Sequence, residues 1–315
     1  MRRVCAPLLS MFMTAAEREA PPSPARTDAG RSPFVRLREL LGDTAPGKPA
    51  ISLAVGEPQH AVPSFVGPVI AQHIDEFGRY PMNKGLDAFC AAVAGWLGRR
   101  YQLPRPVDPD TEVLVLNGSR EGLFLAAIAA KRWASGRASR PVVLLPNPFY
   151  GAYSAGALAA DCEPVYLPAT RASGFLPDLD KLPEEQLART VAFYLASPSN
   201  PQGAVADRAY LTRLVALARR FGFLVFSDEC YSEIYTEHAP TGMLEAGGPD
   251  YANVVVFQSL SKRSNLPGLR VVPGRYLARD QADGSNPGLG YIRVAMVHDQ
   301  ETTAEALHRL VAVLG

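Results

Sequence analysis

The stretch NVVVFQSLSKRSNLPGLR, residues 253–270, decides how the rest of the chain is read. Val254, Val255, Val256 and Phe257 are consecutive β-favouring apolar residues without alternation, which predicts a short strand buried on both faces. That strand runs into a polar turn, Ser259-Leu260-Ser261-Lys262, with Gly268 and Arg270 beyond it. In a parallel α/β sheet the carboxyl ends of the strands open into the ligand crevice, so Lys262 stands where such proteins keep their chemistry. A primary amine there can condense with a carbonyl once deprotonated, and partial desolvation favours the neutral amine. Ser259 and Arg270 flank it with a hydroxyl and a forked cation, both suited to a phosphate. A solvated Lys-Arg loop fits this stretch equally well, so the other strand ends must decide.

Working outward, strand and helix patterns alternate. EVLVLNGSREGLFLAAIAAKRW (112–133) reads as a strand, a Gly-Ser turn and an apolar helix, and PVVLLPNPFYGAYSAGALAA (141–160) repeats the sequence of elements. Further strands are expected in PVYLPA (164–169), TVAFYLASPSN (190–200) and FGFLVFSDECY (221–231), with a helix over 207–221. Earlier in the chain a short amphipathic helix is expected over 34–41, a strand over 51–55, and helices near 63–76 and 86–101. Near-continuous apolar strands alternating with helices predict an α/β fold with a largely parallel sheet covered on both faces.

With 315 residues and 47% apolar content, the chain can bury a sizeable core in one large or two domains. Net charge is +1 from 32 basic and 31 acidic side chains, which argues against a general nucleic-acid or membrane surface. Cys5, Cys90, Cys162 and Cys230 show no paired spacing and read as reduced thiols of a cytoplasmic protein. The five histidines have no metal-ligand spacing. Residues 1–32, with Arg2 and Arg3 ahead of a broken apolar stretch and then a Pro-rich segment, read as a disordered extension or the product of an upstream start codon rather than a targeting signal.

Each chemically distinctive residue follows a predicted strand. Ser119 and Arg120 open a helix whose free N–H groups suit an anion, although Ser119 could equally be an ordinary cap. Tyr150 lies in the loop after the next strand, where an aromatic ring could stack on a planar ligand. Asn200 and Asp228 end two more strands, and Tyr231 stands one turn past the aspartate. A carboxylate at a buried strand end needs a partner, and a protonated pyridine nitrogen would serve; a turn cap is the plainer alternative.

Taken jointly, Asn200-Pro201-Gln202-Gly203, Asp228-x-x-Tyr231 and Ser259-x-Ser261-Lys262 with Arg270 resemble the signature set of class I aminotransferases, fold-type I enzymes dependent on pyridoxal 5'-phosphate. Within that family the likeness leans to the N-succinyldiaminopimelate transaminases of bacterial lysine synthesis, through SLAVGEPQH, NGSREGLF, PNPFYGAY, ECYSEIY and SLSKRSNLPGLR. The resemblance implies that Lys262 holds the coenzyme as a Schiff base and moves a proton. It implies that Asp228 faces the ring nitrogen, Asn200 and Tyr231 the ring oxygen, and Tyr150 the ring plane. Ser119, Arg120, Ser259 and Arg270 would hold the phosphate. Tyr80 would reach the neighbouring subunit's phosphate in a homodimer, while Arg293 and Gly56 would hold the substrate carboxylate.

Lys262 and Arg293 lie 31 positions apart (293 − 262), whereas the family places roughly a hundred more residues between them, a domain-scale difference. The resemblance therefore implies an internal deletion after Arg270. The domains implied are an extension over 1–32, the start of a small domain over 33–60, a large coenzyme domain over 61–270, and a small-domain remnant over 271–315. The expected activity is transfer of an amino group between an amino acid and a 2-oxo acid such as 2-oxoglutarate, without nucleic-acid or membrane partners. Another pyridoxal-phosphate reaction such as a β-lyase, or an impaired remnant that keeps coenzyme binding and dimerisation, stays open.

Overall fold

The computed structural model describes residues 33–267, apart from 46, 50, 52, 54, 55, 79–81 and 137, together with 301, 302, 304, 305, 308 and 309. The helices in chain order are α1 (Pro33–Leu41), α2 (Val66–Gln72), α3 (Asp87–Arg100), α4 (Ser119–Trp133), α5 (Gly151–Ala159), α6 (Glu184–Arg189), α7 (Arg208–Phe221), α8 (Met243–Ala246) and α9 (Leu260–Arg263). Helix α1 belongs to a unit of its own that ends at Asp43; the remaining elements lie in the second unit. The strands are β1 (Val142–Asn147), β2 (Glu163–Pro168), β3 (Thr190–Ala196), β4 (Leu224–Asp228) and β5 (Val254–Phe257). They form one sheet in the order β2-β1-β3-β4-β5, and every pairing is parallel.

Successive strand side chains point to opposite faces, and here both faces are apolar. Val143, Leu145, Ala192, Tyr194 and Phe226 pack on one side with Leu123 and Ala127 of α4 and Ala152 and Tyr153 of α5. Val142, Leu144, Phe193, Leu195 and Val225 pack on the other side with Leu211, Leu214, Val215 and Ala218 of α7 and Met243 of α8. Two covered faces explain the absence of alternation in these strands. Helix α7 carries its apolar residues at helical spacing, and its start is capped by Asp207, which accepts from the Tyr210 amide at 2.7 Å. Helices α4 and α5 approach so closely that a Cβ at Gly156 would lie 2.4 Å from the Phe124 carbonyl oxygen.

Register brings the strand tips into line. Ala196 lies opposite Asp228, and Asp228 lies opposite Phe257. The segments that leave these three residues therefore emerge together at one edge of the sheet, the carboxyl edge.

Three expectations are corrected. Strand β5 is not buried on both faces: it is the edge of the sheet among the described residues, and Val255 is 39% exposed. An apolar run is covered only where a second strand and a helix reach it. The strand expected over 112–116 does not form; Val113 to Leu116 are irregular, and the Val115 amide donates to the Lys84 carbonyl at 3.0 Å instead of joining a ladder. Ile51 and Leu53, expected within a strand, are likewise irregular. The expected extension over 1–32 and nearly all of 271–315 lie outside the described residues. No helix among those described is long and apolar enough to cross a membrane.

Candidate active site

The segments that leave β1, β3, β4 and β5, with the start of α4, contribute to one cluster. At the tip of β4, Asp228 is 8% exposed, and its two oxygens are used differently. Oδ1 accepts from the Cys230 amide at 3.2 Å, the turn cap that the sequence left open. Oδ2 accepts from the Tyr153 hydroxyl at 2.6 Å. Burial, and then the charge of Asp228, push the Tyr153 hydroxyl well above its ordinary pKa, so it stays a donor. Tyr153 is itself fixed by a stacked Tyr194 ring at 4.6 Å and by the edge contact of Tyr150 at 5.7 Å. Tyr150 thus stands beside the aspartate's partner, at the start of α5.

Asn200 lies beyond β3 and donates through Nδ2 to the Tyr231 hydroxyl at 3.1 Å, so the two residues expected at a ring oxygen do meet. The turn that carries Asn200 closes because Gly203 takes φ +72°, a conformation that favours glycine, and its amide donates to the Ser199 carbonyl at 2.8 Å. Between these strands and α4, Cys230 acts as a hub. Burial and Asp228 raise its thiol pKa, while a hydrogen bond with the Ser119 side chain and the charge of Lys262 act the other way. Cys230 thus meets Ser119 of α4 and, through its amide, the Asp228 carboxylate. Ser119 is the first residue of α4 and Gly118 takes the cap position, so the N-cap reading of Ser119 does not hold.

Lys262 lies on α9, and its Nζ donates to the Gly56 carbonyl at 2.5 Å. That carbonyl belongs to the residue expected to hold a substrate carboxylate, and the contact brings the 56–60 loop to the lysine. Ser259 caps α9: its Oγ accepts from the Ser261 amide at 3.1 Å and pairs with Ser261 Oγ at 2.9 Å. Arg120 sits next to Ser119 in the first turn of α4. Tyr80, Arg270 and Arg293 lie outside the described residues. Tyr153 was missed in the sequence, although its spacing of one helical turn from Tyr150 was a usable signal.

The family model described as Aminotransferase class I and II matches residues 48–274. The LL-diaminopimelate aminotransferase of Desulforudis audaxviator is 36% identical over 241 residues, covering 75% of this chain and 59% of that protein. The enzyme of the same name from Moorella thermoacetica is 36% identical over 242 residues, covering 76% and 60%. The chain thus spans about three fifths of the length of these curated relatives. An aminotransferase structure from Neisseria meningitidis superposes with a TM-score of 0.79 at 28% identity, covering 91% of this chain and 98% of that one. The aminotransferase AspB from Helicobacter pylori gives 0.70 at 32% identity, covering 88% and 72%. The parallel sheet, the strand-tip cluster and these matches agree on one conclusion: the chain belongs to the class I and II aminotransferase family.

Proposed function

We propose that this chain is a pyridoxal-phosphate-dependent aminotransferase that exchanges an amino group between an amino acid and a 2-oxo acid. The observation that carries the reading is the carboxyl-edge cluster: an amine at Lys262, a buried carboxylate at Asp228 and the Asn200–Tyr231 pair. Enzymes of this family use pyridoxal phosphate, and the donor set fits it. An aldehyde needs an amine, a pyridinium needs a carboxylate, a phenolate oxygen needs donors, and a phosphate suits a helix N-terminus such as that of α4.

Bound there, the coenzyme would supply an electron sink for charge at the substrate α-carbon. Lys262 would anchor it through Nζ and afterwards carry a proton on that same atom. Release of Nζ from the Gly56 carbonyl would free the amine for this role. Asp228 would hold a proton on the ring nitrogen, with Tyr153 and the Cys230 amide fixing both carboxylate oxygens. Asn200 and Tyr231 would orient the ring oxygen, and Tyr150 would cover one ring face. Arg120, Ser259 and Arg270 complete the phosphate set on the resemblance alone, as Arg293 does for the substrate carboxylate. A homodimer with Tyr80 serving the neighbouring subunit belongs to the same reading.

For the substrate we propose the diaminopimelate skeleton, with 2-oxoglutarate as partner. The names of the relatives favour LL-diaminopimelate over its N-succinyl derivative. The test is borohydride reduction of the chain with pyridoxal phosphate, then peptide mapping. A label on Lys262, lost in Lys262→Ala, is expected, and a label elsewhere or none on folded protein defeats the reading. Following conversion of the bound coenzyme with glutamate, LL-diaminopimelate and the N-succinyl compound then separates the substrates. Capture without conversion would identify a chain that binds the coenzyme but does not transfer.

A further inference from the structure

Glu229 is the residue after Asp228 and is 3% exposed, yet none of the roles above uses it. It faces Met243, whose side chain belongs to the α7–α8 side of the sheet, opposite the side that holds Tyr153. Its carboxylate accepts four hydrogen bonds. Ser227 Oγ at 3.1 Å and the Met243 amide at 2.7 Å reach Oε1, while Tyr101 Oη at 3.1 Å and Gln258 Nε2 at 3.0 Å reach Oε2. Its own amide donates to the Phe257 carbonyl at 2.9 Å. A carboxylate has about four acceptor positions, so this one is fully used.

The donors come from four segments. Gln258 joins β5 to Ser259, and its Oε1 accepts from Ser232 Oγ at 3.4 Å. Tyr101 closes α3, and its neighbour Arg100 binds Glu233 Oε1 at 2.6 Å and the Ser232 and Pro240 carbonyls at 3.1 and 3.2 Å. Arg100 also supplies the positive charge felt by Glu229. Buried networks of this kind are rigid when every member is satisfied and costly when one is removed.

We propose that Glu229 is a positioning residue of the site: its carboxylate ties the strand tip that carries Asp228 to the strand tip that leads into Ser259 and Lys262. The proposal rests on the reading that Asp228 and Lys262 serve one coenzyme. A neutral amide at this position would turn an –NH2 toward donors. The Tyr101 and Ser227 hydroxyls could reverse to accept, but a single amide oxygen cannot serve both the Met243 amide and Gln258 Nε2, so one of these bonds is lost or Gln258 must turn over.

Glu229→Gln and Gln258→Leu, singly and together, test this in the full chain, with pyridoxal phosphate as the probe. Each single variant is expected to raise the coenzyme dissociation constant roughly tenfold. Each should also move the pH midpoint of the bound coenzyme's absorption band. The double variant should fall within about twofold of the weaker single, because both remove one link. Hydrogen exchange in the coenzyme-free protein should rise together over 228–232 and 258–263. An unchanged dissociation constant and midpoint, or effects that multiply, would overturn the proposal. If the unaltered chain takes up no coenzyme, the functional reading fails, and exchange still decides: a rise confined to one segment rejects the tie. Should Glu229→Gln not fold, Tyr101→Phe with Gln258→Leu carries the same comparison.

Discussion

The centre of the sheet and its β5 side are written in the same kind of sequence and end in different surroundings. Val142, Leu144 and Phe193 are fully buried, sealed by strands on both sides and helices above and below. Val255 on β5 is 39% exposed although Phe257 at the end of the same strand is buried, and other apolar residues on this side are exposed as well. Leu116, which together with Phe257 crowds Gly122, is 39% exposed, and Leu125 on the same helix as Gly122 is 55% exposed. An apolar run specifies that a strand can be buried, while coverage comes from neighbours. The centre holds itself together; the β5 side carries the lysine segment on a thinner support.

Substitutions can break or sharpen this contrast. Phe193→Ala in the centre should have the largest effect, about 3–5 kcal/mol of unfolding free energy, from lost burial plus a cavity. Urea unfolding measures it, and a value below that of edge substitutions would erase the distinction.

Next comes Glu229, which links the two regions. Burial pushes its carboxyl up from 4.5 to about 7, against the pull of the Met243 amide, Ser227, Tyr101 and Arg100. A raised acid pKa means that the folded form binds the proton more tightly than the unfolded form. Its stabilising effect is therefore complete below about pH 4.5 and is lost as pH rises toward 7. The change is on the order of 3 kcal/mol. Subtracting the stability–pH curve of Glu229→Gln from that of the unaltered chain should isolate this fall, and a flat difference would reject it.

Tyr153→Phe ranks third. It removes the hydroxyl from Asp228 Oδ2 without a large cavity, so coenzyme binding should weaken by about 1.5–3 kcal/mol while the fold persists. Equilibrium titration with the coenzyme checks this. The smallest effect belongs to the edge itself. Val255→Lys should change stability by no more than about 0.5 kcal/mol yet lower concentration-dependent aggregation, as charged edge strands do. Light scattering reads the second quantity.

Much of the sheet was legible because β1, β3 and β4 show uninterrupted apolar runs ending in polar residues. Asp228 stood out because it ends such a run, and Asn200 and Lys262 because they stand in the polar turns that follow one. The failures share a cause. Val113 to Leu116 and Val254 to Phe257 look like central strands, but whether a strand is central depends on partners far away in the chain, which a local pattern does not encode. Tyr153 and Glu229 were hidden differently. Each looks like an ordinary neighbour of a more conspicuous residue, and only the register of β4 against β5, with the placement of α5, α3 and α8, turns them into partners of the site.

The hydrogen bond from Lys262 to the Gly56 carbonyl joins residues 206 positions apart. During synthesis Gly56 leaves the ribosome long before Lys262 exists, while β1, β3 and β4 can already pair and collect α4, α5 and α7. Closing so long a loop costs little more than closing one half its size, because the entropy grows only with the logarithm of length. The delay is therefore one of order, not of energy: the contact that seats the reactive lysine waits until the early 56–60 loop can meet the late helix α9.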